Sequence, residues 1–196
     1  EWSALNEALF TIDSEPASRR NLVISELHYH PGEPSSPEEL LISSDRDDYE
    51  FIELLNTGSR NIDLTGVRFD SGVNFDFPDN TVLGPGDRLL LLRNRIAFEA
   101  RYGTLSGVQW FEYTGRLSND GEALLLTGPS SQPIIDFTYN DRLPWPTSAD
   151  GEGSSLVLLN PDSDASMEDP SQWTISGNPG GTPGEESSPG LSYLTW

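Results

Sequence analysis

Apolar positions along the chain fall into short runs separated by turn residues, and most runs are too short for helices. The pattern predicts strands at 22–29 (LVISELHY), 49–55 (YEFIELL), 66–71 (GVRFDS), 73–77 (VNFDF) and 87–93 (DRLLLLR), then at 121–127 (GEALLLT), 133–139 (PIIDFTY) and 154–159 (SSLVLL). Val73, Phe75 and Phe77 alternate with Asn74 and Asp76, the period of a strand with one wet face. Asn56-Thr57-Gly58-Ser59, Gly84-Pro85-Gly86 and Ser118-Asn119-Asp120-Gly121 supply turn chemistry between runs. Short strands at this spacing indicate an all-β sandwich or barrel. One patch breaks the pattern. In 94–103, Ile96, Phe98 and Tyr102 are apolar and Gly103 is a natural C-cap, which predicts about two turns of helix.

The ends differ from the middle. Residues 2–10 read as a short helix or packed arm, and Pro16 with Arg19-Arg20 reads as a linker. Beyond Asn160 there are six acids, no basic residue, and a run, Gly177 to Gly184, that suits neither helix nor strand interiors. The expected organisation is therefore an arm or linker over 1–20, a β-domain over 21–184 and a tail or linker over 185–196.

Composition narrows the chemistry. The 196 residues carry 32 acidic and 11 basic side chains, all of the latter arginine, for a net charge of −21. Without lysine there is no phosphate-loop lysine and no Schiff base. Without cysteine there is no disulfide framework, thiolate zinc site or thiol nucleophile. So acidic a surface repels nucleic acid. The longest aliphatic run, Leu89 to Leu92, is far too short to cross a bilayer, so no membrane insertion is expected. The first residue is Glu1 rather than Met, which reads as a mature product or a fragment. Export without disulfides fits, so an extracellular or cell-surface location is expected.

Several motifs occur in an order that carries more than their composition. Val23 to Pro31 (VISELHYHP) is followed by Glu50 to Asn56 (EFIELLN), Ile62 to Arg68 (IDLTGVR) and Phe77 to Gly86 (FPDNTVLGPG). Leu117 to Glu122 (LSNDGE), Pro144-Trp145-Pro146 with Asp150-Gly151, and Gly180 to Gly184 (GGTPG) come next. Over about 21–184 the set resembles the lamin tail domain, in the bacterial branch found in exported multidomain proteins. The resemblance implies an immunoglobulin-like β-sandwich, here with one short helix and long loops. It also implies a non-catalytic module for attachment, assembly or recognition, whose partner is another protein or a domain of the same parent chain. The acidic stretch 32–48 and both ends depart from the pattern.

Each candidate site has an ordinary structural role as its alternative. Glu26, His28 and His30 share one side of an extended strand, a spacing that suits a transition metal, although Pro31 turns His30 away. Glu26 and Glu50 or Glu53 lie on adjacent predicted strands, and Arg68 or Arg88 could neutralise them. Asp45, Asp47 and Asp48 form one dense oxygen set for calcium. Asp162, Asp164 and Glu168 form a second. It starts like a calcium loop but has Met167 at position six and Trp173 at position twelve, which excludes an EF-hand. Asp169 before Pro170 reads as a helix cap. Trp110, Tyr113 and Trp145 sit in expected loops as ligand contacts, or as plugs sealing the ends of the sandwich. No nucleophile elbow or triad context is present. No cofactor is required, calcium being the one optional ion. The leading expectation is an interaction module. The alternative is a calcium-stabilised carbohydrate-binding module with a glycan partner.

Overall fold

The computed structural model describes residues 14–104, 106–162 and 164–186. The expected helix or arm at 2–10 and the alternating segment 191–196 lie outside the described residues. Twelve strands and two short α-helices follow one another in that span. They are β1 (Ser14–Pro16), β2 (Leu22–His28), α1 (Pro37–Ile42), β3 (Phe51–Asn56), β4 (Asn61–Asp63), β5 (Arg68–Ser71) and β6 (Val82–Leu83). Then come β7 (Arg88–Leu92), α2 (Arg95–Tyr102), β8 (Gln109–Glu112), β9 (Gly121–Thr127), β10 (Pro133–Asn140), β11 (Leu156–Leu158) and β12 (Trp173–Ile175).

A six-stranded sheet, β12-β11-β2-β3-β7-β8, faces a three-stranded sheet, β10-β9-β5. The core lies between them. Ile24, Leu27, Ile52, Leu54, Leu89 and Leu91 from the large sheet meet Phe69, Leu124, Leu126, Ile135 and Phe137 from the small one, all buried. Burial of this apolar area is the main force holding the sandwich shut. A small third sheet, β1-β4-β6, places Ser14–Pro16 alongside Asn61–Asp63. Residues expected to be an arm thus contribute a strand, and Asn21 ties them down by donating to Glu15 Oε1 at 3.0 Å.

The large sheet is buried on both faces. Every residue of β2 and β3 is buried. A β-bulge at Ser25 explains how two faces coexist in one strand. Ile24 pairs with Leu54, but Glu26 pairs with Glu53, so one extra residue sits in β2. The slip exchanges the faces. Leu22, Ile24, Leu27 and Tyr29 therefore enter the core, while Glu26 and His28 point the other way.

That second face is roofed by α2. Helix α2 joins β7 to β8, which run parallel, and parallel neighbours need such a crossover. Asn94 caps its first turn by accepting from the amides of Ile96 and Ala97, and Gly103 ends it. Phe98 of α2 packs on Phe51, Leu90 and Leu92.

Three expectations need correction. Residues 73–77 are not a strand; Asn74 bridges Thr114 and Asp76 bridges Arg68 singly. The chain turns back at Gly72 (φ 95), where a Cβ would strike Leu124, so Val73 and Phe77 fill core gaps without a ladder. Residues 109–112 form strand β8 rather than a loop, with Trp110 toward α2 and Phe111 toward the core. The acidic stretch 32–48 contains α1, a second helix. Ser36 accepts from the Glu39 amide, Glu39 accepts back from the Ser36 amide, and Pro37 opens the first turn. No helix among the described residues is long and apolar enough to cross a membrane.

Candidate functional site

The roofed face of the large sheet holds the densest set of buried polar groups. Glu26 and Glu53 are directly opposite each other and fully buried. Like charges in that position repel unless donors surround them. Donors do. Ser155 Oγ donates to Glu26 Oε1 at 2.5 Å, and Thr182 donates its amide to Oε1 at 2.9 Å and its hydroxyl to Oε2 at 3.1 Å. Glu53 receives Ser25 Oγ at 2.6 Å, the Gly184 amide at 2.6 Å and Arg88 Nε at 3.1 Å. Arg68 lies elsewhere and pairs with Asp70. The Gly-rich run near the C-terminus is therefore a strap laid across the sheet and fastened to two carboxylates. Gly181 (φ 91) is required there, because a Cβ would collide with Glu26 Oε1. Burial, against the pull of the Ser25 and Gly184 hydrogen bonds, pushes the Glu53 carboxyl up to about 7.

His28 lies on the same face. Tyr102 of α2 donates to Gly180 O at 2.9 Å, which leaves its oxygen to accept from His28 Nδ1 at 3.2 Å. Burial, helped by Arg101 and His30, lowers the ring to about 3, so it stays neutral. His30 is at the end of the sandwich instead. Arg46 Nη1 meets its Nε2 at 2.9 Å, and its Nδ1 lies 2.6 Å from Asp150. With arginine donating at Nε2, the proton sits on Nδ1 and points at the carboxylate. Glu26, His28 and His30 thus do not converge as a metal triad. Arg46 is held in turn by Glu33.

Glu50 closes the other end of β3. Its Oε2 accepts from Tyr113 Oη at 2.8 Å and from the Leu117 amide at 2.9 Å, with Arg93 4.0 Å from Oε1. Burial, outweighing those two donors, raises its carboxyl to about 8.

One open cleft is separate from all of these. A cleft of about 750 Å³ runs along β10, floored by Val23, Ile134, Leu158 and Met167, with Arg19 and Arg20 on its rim. Eight of the eleven arginines are ion-paired; Arg19, Arg20 and Arg60 have no ion-pair partner among the described residues, and of these three Arg19 and Arg20 line the cleft.

The family model of the lamin tail domain matches residues 15–141. The chain belongs to that family. No curated protein matches it. The match covers β1 to β10, so β11, β12 and the strap of this lamin tail domain lie beyond it. Those later elements are nonetheless built into the sheet, because β11 pairs with β2 and the strap caps Glu26.

The acidic residues of this lamin tail domain that were expected as calcium ligands are placed as follows. Among the described residues, no three acids or histidines converge on a metal position. Asp45 caps a 3₁₀ turn by accepting from the Asp47 amide, Asp47 lies 3.6 Å from Arg116, and Asp48 lies 3.4 Å from Arg93. Asp164 lines the large cleft and Asp162 a smaller one of about 240 Å³. Glu168 accepts from the Thr138 amide at 2.8 Å. Asp169 caps a short 3₁₀ turn through the Ser171 amide.

The aromatic candidates are placed as follows. Tyr113 is buried on Glu50, so its ring is not a surface contact. Trp145 is buried against Phe137 and Trp173 at the end of the sandwich. Trp110 is half-buried beneath Arg95, whose guanidinium lies 5.4 Å from its ring centre. Sequence reasoning missed the cleft, since its walls come from four separated segments. It also missed α1, although Ser36-Pro37-Glu38-Glu39 is a capping-box signature.

Proposed function

We propose that this lamin tail domain is a non-catalytic interaction module of a larger exported bacterial protein. It holds another protein, or a second domain of the same parent chain, at the cell envelope. One observation carries this reading. The groups best suited to acid–base work, Glu26, Glu50, Glu53, His28 and His30, each hold a strap, loop or strand end in place. Acid–base catalysis needs a titratable group within reach of a substrate proton. These groups reach the protein's own backbone and side chains instead. The family's non-catalytic character and the acidic coat of an exported domain support the same reading.

The test is calorimetric titration of the full chain against each other domain of the parent protein and against purified envelope components. Binding to at least one, with a dissociation constant of about 100 μM or tighter, is expected. Failure to bind any of them refutes the reading.

A further inference from the structure

The cleft along β10 combines two recognition devices. The first is an open strand edge. β10 is the edge of its sheet, paired with β9 on one side. Amides alternate direction along a strand. The Thr138 amide faces away from β9 and is taken up by the Glu168 carboxylate at 2.8 Å. Asp136, two residues earlier, directs its amide to the same edge, and it lines the cleft. The chain's own glutamate therefore occupies one rung of this edge, and among the described residues no acceptor takes the adjacent rung beside the cleft.

The second device is charge. Arg19 and Arg20 stand exposed on the rim in a protein of net charge −21. Their turn is rigidly set, since Asn21 Oδ1 accepts from the Ser18 amide at 2.7 Å and the Asn21 amide donates to Ser18 O at 3.1 Å. Neighbouring acids elsewhere draw most of the arginines into ion pairs. These two are left facing the cleft.

We propose that the cleft seats an extended acidic peptide segment of a partner, which adds a strand to β10 and places carboxylates on Arg19 and Arg20. This rests on the interaction-module reading and names the partner's chemistry. Main-chain hydrogen bonds to the edge give affinity, and alternate side chains give specificity. Apolar side chains of the peptide meet Val23, Ile134, Leu158 and Met167. Asp136 and Asp164 also line the cleft, so the peptide's acids cluster at the arginine end and its other end is neutral or basic.

The test uses the full chain and labelled seven-residue peptides read by fluorescence polarisation. The probe carries two glutamates alternating with valine at one end and serine alternating with valine over the rest, and its control carries glutamine for glutamate. The acidic probe binds, and both the control and the Arg19→Ala/Arg20→Ala variant weaken binding by about tenfold or more. The variant's melting temperature is unchanged, because both side chains are exposed and neither has an ion-pair partner among the described residues. Two N-methylated probes, one for each set of alternate amides, separate strand addition from simple charge attraction. One binds and the other does not. Equal binding by both overturns strand addition, and equal binding by wild type and the double variant overturns the arginine assignment. No binding of the acidic probe overturns the proposal outright. If the double variant also keeps full affinity for a domain of the parent protein, the module reading survives and this inference alone is discarded.

Discussion

The two faces of the six-stranded sheet are sealed by different physics. The inner face is aliphatic and aromatic, closed against β10-β9-β5 by apolar burial. The roofed face mixes Phe51, Leu90 and Leu92 with Glu26, Glu53 and His28. Apolar burial is non-directional, so the inner face tolerates volume-conserving exchange. Buried carboxylates are directional and costly unless every lone pair finds a donor. The roofed face therefore specifies where the strap lies, while the inner face supplies most of the stability.

The comparison can be broken most strongly from the inside. Leu54→Ala removes a fully buried side chain at the centre of the core. It should cost about 2–5 kcal/mol in urea unfolding, without selectively loosening the strap. A loss under about 1 kcal/mol would mean that the inner face is not the dominant seal.

The roofed face should show itself through pH. The Glu53 carboxyl sits at about 7 and that of Glu50 at about 8, both above the ordinary 4.5. Between 4.5 and those values the folded protein binds more protons than the unfolded chain, so stability falls as pH rises through that window. His28 acts in the opposite direction at lower pH. Its ring is lowered to about 3 from 6.5, so its contribution is complete above 6.5 and lost as pH falls toward 3. The melting temperature should therefore decline from pH 6.5 to 8. In Glu53→Gln the decline should be shallower, with Glu50 responsible for what remains. Identical slopes in the two proteins would contradict the burial of an ionisable Glu53.

The smallest effect should be the most local. Thr182→Val removes the hydroxyl bond to Glu26 Oε2 and keeps the amide bond to Oε1. It should cost about 1 kcal/mol. Amide exchange should accelerate at 182–184 and remain unchanged in β9 and β10. Acceleration spread across the sandwich would show that the strap is not a separate fastening.

Much of the sandwich was legible from local pattern. Gly121–Thr127 is a short apolar run opened by a turn glycine, and Pro133–Asn140 alternates from Ile135 onward, so their boundaries followed closely. Helix α2 carried both an N-cap and a C-cap glycine. β8 was missed because its four residues hold two rings that serve opposite faces, which reads as an aromatic loop. Acid density around 32–48 obscured the capping box of α1. The bulge at Ser25 could not be read from alternation, since a period of two gives no sign of where it slips. Site geometry was less legible because its partners are remote. Asp47 and Asp48 lie near Arg116 and Arg93, and Glu168 accepts from the Thr138 amide, partners that are distant in sequence.

The distance along the chain between the fastened groups has a kinetic meaning. Thr182 and Glu26 are 156 residues apart, and Ser155 is 129 residues from the same carboxylate. Such separations give a high contact order, which slows folding. As the polypeptide emerges from the ribosome, β2 and β3 are made early, but the outer edge of β2 stays without its strand until β11 arrives. The two opposed carboxylates stay solvated until then, which disfavours premature closure of the half-built sheet. An engineered fragment limited to 15–141 would lack the strand and strap that finish this step. The paired sheet of this protein therefore extends past its family signature.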